Sequence, residues 1–163
     1  FSENQTSAVN SHDELAPRES AQIITDHVIN GIEIAKKHNL PDRVIDFIRT
    51  HHGTTTVYLF YKKAQEESEG TIDKKDFQYP GPLPFSKETA ILMMCDAVEA
   101  ASKSLKEPTA KIIDRFVEKI IDGQIEQKQF LNADITFKEI ESIKKVLKNK
   151  LKNIYHLRIE YPD

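Results

Sequence analysis

Apolar residues recur at three- and four-residue spacing along most of the chain, which is the pattern of helices that bury one face. No segment shows a convincing strand pattern. The segments with helical spacing are residues 20–37, 41–53, 54–67, 86–105, 108–130 and 136–154. The third is the weakest, because it begins with three β-branched threonines. The sequence therefore predicts an all-α fold, a compact helical bundle.

Capping and turn residues mark the ends of several of these segments. Ser86 is a predicted N-cap, and Thr136 with Glu139 matches a capping box. Gly53 is a predicted C-cap. The Gly and Pro residues of segment 68–84 predict a loop between the third and fourth helices.

Length and charge limit the classes of protein to consider. The 163 residues fit a single domain spanning 1–163 with a buried core. The net charge of −3 and the pI of about 6.1 exclude a surface that holds DNA or RNA by bulk positive charge. The single cysteine, Cys95, excludes an internal disulfide. No apolar run approaches the roughly 18 residues of a membrane span, so we expect this piece to be soluble. Because it begins with Phe1, we also expect it to be truncated at its N-terminus.

Two adjacent histidines follow the apolar face of the second predicted helix. His51 and His52 both project within the wide arc of its apolar residues, Val44, Ile45, Phe47 and Ile48. The alternative is a capped helix end with one buried and one solvated histidine. His27 lies on the apolar face of the first helix, where a lone histidine is more often a core residue than a ligand.

Asp96 lies in the segment AILMMCDAVEAA, which is apolar nearly all round and therefore typical of a buried helix. A buried carboxylate must be paired, protonated or bound to a cation. A salt bridge suits Glu99 better, because Lys103 is its i+4 neighbour. If His27, His51, His52 and Asp96 converge, they form a ligand set for Fe, Mn, Zn or Ni. The residues alone leave that convergence open.

Four blocks of the sequence resemble one family. They are FSENQ, SAQIITDHVINGIEIAKKHNLPDRVIDFIRTHHGTT, FQYPGPLPFSKETAILMMCDAVEAAS and the terminal YHLRIEYP. Together they resemble, over essentially the whole chain, the cytoplasmic HD domain of bacterial seven-transmembrane HD phosphohydrolases. These are membrane-anchored cyclic-di-AMP phosphodiesterases.

The resemblance implies an HD-type helical domain with a two-metal centre, often of iron or manganese. It implies hydrolysis of cyclic-di-AMP to pApA by a metal-bound hydroxide, with His27, His51, His52 and Asp96 as metal ligands. It also implies a cytoplasmic position at the inner membrane, with the membrane attachment in segments upstream. The oligomeric state stays open.

The family's ligand set also includes an earlier histidine and a His-Asp dyad, both upstream of FSENQ, where this sequence begins. The dipeptide His12–Asp13 follows FSENQ, and we predict that it is a loop without a ligand role. We therefore expect two metals in the intact family site, one or none in this piece, and low turnover. The alternative function is a non-catalytic HD module that senses nucleotide or regulates.

Three further residues are predicted to contact the substrate, namely Tyr61, Tyr79 and Arg158. The tyrosines could stack on adenine bases, although core or lid packing explains them equally well. Arg158 could reach a phosphate or only dock the C-terminus. The basic run 144–152 is predicted to be the solvated face of the last helix, and contact with anionic lipid is the alternative.

Overall fold

The computed structural model describes residues 15–68 and 70–156. Its helices are α1 (Pro17–Lys37), α2 (Asp42–Thr50), α3 (Tyr58–Glu67), a 3₁₀ turn (Lys74–Phe77), α4 (Lys87–Ser102), α5 (Ala110–Glu126) and α6 (Phe137–Ile154). Across these described ranges the only extended pairing is one antiparallel bridge, between Thr56 and Gln78. The predicted all-α fold is confirmed.

Two of the predicted helix starts are confirmed by their caps. The Ser86 hydroxyl accepts a hydrogen bond from the Thr89 backbone N–H at the start of α4. At the start of α6, the Thr136 hydroxyl accepts from the Glu139 N–H, and the Thr136 N–H donates to the Glu139 carboxylate. Each cap satisfies backbone donors that a first helical turn leaves unpaired.

The segment between α2 and α3 differs from its prediction. Helix α2 ends at Thr50 with His51 as its C-cap, whereas the sequence predicted an end at Gly53. Gly53 instead takes a left-handed φ of 52° in the following turn, where its N–H donates to the Thr50 carbonyl at 2.9 Å. Helix α3 begins only at Tyr58, because residues 55–57 are hydrogen-bonded to residues 77–79.

Contacts between Cα atoms divide the chain into two compact units, Phe1–Pro82 and Leu83–Asp163. In the first unit α1 packs against α2, α3 and the 3₁₀ turn. The buried core of this unit consists of Ala21, Ile24, Val28, Phe60, Ala64, Phe77 and Tyr79. That one HD-type domain spans 1–163 stays a prediction.

The second unit contains α4, α5 and α6, with α5 packed against both of the other helices. Its buried core consists of Ala90, Met94, Val98, Ile113, Val117, Ile121, Ile140 and Leu151. The prediction that the basic run 144–152 is a solvated face is wrong for Lys144, which is 4% exposed. Its ammonium lies 2.7 Å from carboxylate oxygens of both Glu118 and Asp122 on α5.

None of the helices in the described ranges is long and apolar enough to cross a membrane. The predictions for His12–Asp13 and Arg158 concern residues outside the described ranges.

Candidate metal centre

Close packing of α1 against α2 brings the first histidine to the other two. Gly31, one turn after His27, lies against the Ile48 side chain, one turn before His51 and His52. A Cβ at position 31 would be 3.0 Å from Ile48 Cγ2, which is closer than ordinary packing allows. The absence of a side chain at Gly31 therefore permits this approach of the two helices.

Backbone carbonyls orient two of the imidazole rings. His27 Nδ1 lies 2.5 Å from the Ile24 carbonyl oxygen, and His51 Nδ1 lies 2.6 Å from the Ile48 carbonyl oxygen. A carbonyl can only accept, so each Nδ1 carries a proton and donates it. In the neutral form, each ring then has an unprotonated Nε2 with its lone pair available.

The two Nε2 atoms face each other at 3.1 Å. Two lone pairs at this separation repel unless a proton or a cation lies between them. A carbonyl that accepts from the Nδ1–H of a metal-binding histidine is a common way to hold the ring and raise its basicity. The geometry of His27 and His51 is therefore that of a prepared cation site.

His52 completes the group from the turn after α2. Its ring centroid is 4.0 Å from that of His51 and 4.9 Å from that of His27. Burial, and next the charges of His51 and His27, lower the pKa of His52 to about 3. The ring is therefore neutral near pH 7, the form that donates a lone pair to a metal.

The donor atoms of His27, His51 and His52 all lie within 4.8 Å of one another. Each side chain is half-buried, which removes part of its hydration without closing the site. Three imidazoles suit a borderline transition metal such as Fe, Zn or Ni, and also Mn. These three predicted ligands are brought together, and they could hold a metal ion.

The other predicted site residues are placed as follows. Asp96 lies on α4 in the second unit and is half-buried, so its convergence with the histidines stays a prediction. Tyr61 packs against Phe77 with ring centroids 5.7 Å apart, at the edge of the first core. Tyr79 is 7% exposed and stacks on His52. The i+4 salt bridge from Lys103 to Glu99 is confirmed at 3.1 Å.

Sequence reasoning missed the carbonyls of Ile24 and Ile48 as partners of the site. Each stands three residues before its histidine, within reach of a helical side chain that turns back toward the N-terminus. The spacing was available as a signal, but a histidine has several rotamers and the sequence does not select among them.

A cavity of about 420 Å³ opens beside His27 on the same unit. Its lining combines apolar, amide and carboxylate groups: Ile23, Asp26, Asn30, Gly31 and Ile34, together with His27 itself. This size is within the range of cavities that hold small organic ligands.

Comparison with known proteins gives close relatives. The chain is 41% identical over 163 residues to the cyclic-di-AMP phosphodiesterase PgpH of Bacillus subtilis, and 42% identical to that of Listeria monocytogenes. All of this chain is matched, and it spans 23% of the length of each relative. No protein-family model matches the chain.

Solved structures give the same result for the fold. The HD domain of L. monocytogenes PgpH superposes with a TM-score of 0.88 at 41% identity, covering 96% of this chain and 73% of that one. The same HD domain in complex with cyclic-di-AMP gives a TM-score of 0.87, covering 93% and 71%. The chain therefore belongs to the HD-domain family represented by the PgpH phosphodiesterases.

Proposed function

We propose that this domain belongs to a metal-dependent phosphodiesterase that hydrolyses cyclic-di-AMP to the linear dinucleotide pApA. The observation that supports it best is the pair of Nε2 atoms, held 3.1 Å apart by carbonyls that fix both rings. The two relatives are named cyclic-di-AMP phosphodiesterases, and the solved Listeria HD domain binds that dinucleotide in its complex.

The proposed ligands are His27, His51 and His52, and the proposed ion is a divalent transition metal, iron or manganese. When bound, such an ion would lower the pKa of a coordinated water and offset negative charge on a phosphate. The chain itself supplies two rings that are fixed by carbonyls and a third that is kept neutral by burial. Ligands held in this way need little reorganisation when the ion enters.

Asp96 is proposed as a further ligand, on the sequence resemblance alone. Its segment AILMMCDAVEAA matches the block in which the family carries a metal-binding aspartate. The second metal of the intact family centre and the membrane attachment are likewise proposed from the resemblance.

The cavity beside His27 is the proposed position for part of the dinucleotide. Ile23 and Ile34 offer apolar surface to a base, while Asp26 and Asn30 offer hydrogen-bonding groups. A phosphate next to such a base would lie near the three imidazoles. Tyr61 and Arg158 stay proposed substrate contacts.

Titration calorimetry with Mn²⁺ tests the metal site. We expect one equivalent to bind, and His51→Gln to weaken binding at least about tenfold, since even outer partners of ligands commonly contribute 10- to 100-fold. The matched control is His38→Gln, at an exposed residue just after α1, which should bind like the wild type. Equal affinity for all three proteins would contradict the metal site.

Chromatography of cyclic-di-AMP incubated with the Mn²⁺-loaded protein tests the reaction. Formation of pApA that is lost in His51→Gln supports the phosphodiesterase. Binding of the dinucleotide without pApA would favour the second candidate, a regulatory HD module.

A further inference from the structure

We propose that Tyr79 is a positioning residue of the metal centre, whose ring holds the His52 imidazole in the orientation that binds the ion. The inference rests on the proposed metal site and extends it by one residue. In this inference Tyr79 supports a metal ligand, whereas the sequence predicted that its ring stacks on the substrate.

The first support is the ring geometry. The Tyr79 and His52 rings are nearly parallel, at an angle of 21° with centroids 4.2 Å apart. The Tyr79 ring is also nearly perpendicular to the His27 ring, at 79° with a centroid distance of 5.9 Å. With only 7% of Tyr79 exposed and one face against His52, the ring has little surface left for a nucleotide base.

The second support is the backbone around the stacked pair. The Tyr79 N–H donates to the Thr55 carbonyl at 2.9 Å, and the Thr55 N–H and hydroxyl both donate to the His52 carbonyl. The bridge between Thr56 and Gln78 lies between the Tyr79–Thr55 bond and a second bond, from the Val57 N–H to the Phe77 carbonyl. The stack is therefore built by a hydrogen-bonded pairing of residues 55–57 with residues 77–79.

The physical role follows from where His52 is placed. It lies in a turn, without the helical backbone that restricts the rotamers of His27. The His51 ring meets the His52 ring at a tilt of 41°, whereas the Tyr79 ring stacks on it. Without the Tyr79 ring, the imidazole gains rotamers that turn its nitrogen away from the other two, and each of them lowers the metal affinity.

The test compares three variants by Mn²⁺ calorimetry. Tyr79→Leu removes the aromatic wall and should weaken binding by about 10- to 100-fold, as the loss of a ligand's support commonly does. Tyr79→Phe keeps the ring, so its Mn²⁺ affinity should stay within about threefold of the wild type, well short of the loss that follows when a ligand loses its support. Phe77→Leu truncates a buried ring two residues away that packs against Tyr61, and controls for general loosening of the core.

A second readout does not need the metal. In the metal-free protein, NMR should show contacts between the Tyr79 ring and the His52 imidazole and one set of His52 signals. Side-chain rotamers interchange within nanoseconds, so Tyr79→Leu should give one averaged set of His52 signals with weaker contacts to the His27 ring, whereas Phe77→Leu should keep those contacts. Binding by Tyr79→Leu at wild-type strength, or equal losses in Tyr79→Leu and Phe77→Leu, would overturn the positioning role.

The two proposals fail in different ways. If the wild type binds no Mn²⁺, the metal site fails, and with it the positioning role toward an ion. If the wild type binds Mn²⁺ and Tyr79→Leu binds it equally, only the role of Tyr79 fails.

Discussion

Ring orientation at single residues decides what the first unit can bind. His27 and His51 each donate their Nδ1–H to a carbonyl of their own helix, so their two Nε2 atoms face each other. A positive ion there replaces the repulsion between two lone pairs with two attractive contacts. The chemical character of the site therefore depends on two hydrogen bonds to backbone carbonyls.

The carboxyl of Glu139 should make stability depend on pH. Its hydrogen bond to Lys87, and next its bonds to Thr136, lower the pKa of Glu139 from 4.5 to about 2. Because the folded-state pKa is the lower one, the stabilisation is present above pH 4.5 and is lost as the pH falls toward 2. We expect Glu139→Gln to be less stable than the wild type near pH 7, and the gap to close across this interval.

Urea unfolding of both proteins between pH 7 and pH 2 measures that gap. Lys87→Gln removes the main partner of Glu139. In protein that carries Lys87→Gln, the loss of stability caused by Glu139→Gln should therefore be smaller and should vanish at a higher pH. A gap that stays constant down to pH 2 would contradict the assignment.

The sequence predicted a residue's interactions correctly when its partners lie close to it along the chain. The cap formed by Thr136 and Glu139 lies within one turn, and the sequence predicted it correctly. Lys144 was wrongly predicted as solvated, because its partners Glu118 and Asp122 come from another helix. Burial alone would lower the pKa of Lys144, but hydrogen bonds to Asp122, Glu118 and Glu141 outweigh it and raise the pKa.

At the scale of elements, the contact between α1 and α2 controls the separation of the histidines. The sequence showed Gly31 one turn after His27, but it could not show that the Ile48 side chain packs where a Gly31 side chain would otherwise lie. The extended residues 55–57 were equally hidden, because their partners are residues 77–79 beyond α3. Local propensity identified most helices and missed this pairing, which depends on a distant segment.

Gly31→Ala and Gly123→Ala should change stability in opposite directions. Alanine at position 31 would press on the stiff β-branched Ile48 at 3.0 Å, and overpacking of this kind costs about 1–3 kcal/mol. The better helix propensity of alanine offsets about 1 kcal/mol of that cost. At Gly123 on α5 a Cβ meets nothing within 4 Å, so the substitution should stabilise by about 0.5–1 kcal/mol.

Denaturant unfolding measures both variants, and Mn²⁺ calorimetry adds a second test. Only Gly31→Ala should weaken metal binding, because only it changes the distance between the helices that carry the ligands. Equal stabilisation by the two substitutions would show that Ile48 yields to the added methyl group.

For the whole molecule, the relevant fact is the division of the chain into two units with separate cores. The three histidines that the structure brings together all belong to the first unit, and Asp96 belongs to the second. Sequence resemblance assigned all four to one centre. The geometry of the first unit supports the three histidines as metal ligands and does not test Asp96. The proposed ligand role of Asp96 is therefore tested by an experiment that follows both units at once.

Hydrogen exchange with and without Mn²⁺ is that experiment. An ion at about 100 times its Kd stabilises the form that binds it by about 2.7 kcal/mol, and amides that exchange by local opening of the site should slow accordingly. We expect slowing in α1 and α2, and in α4 around Asp96 if that carboxylate is also a ligand. Amides that open locally in α6 should not respond, which makes this helix the internal control.

Two variants separate the contribution of the histidines to metal binding from that of Asp96. His51→Gln should abolish the slowing everywhere, whereas Asp96→Asn should abolish it in α4 and keep it in α1 and α2. Slowing confined to the second unit would contradict the three-histidine site. Slowing of α1 and α2 alone, unchanged in Asp96→Asn, would mean that the histidines bind the ion without this carboxylate, because an ion bound by Asp96 must restrict the helix that carries it.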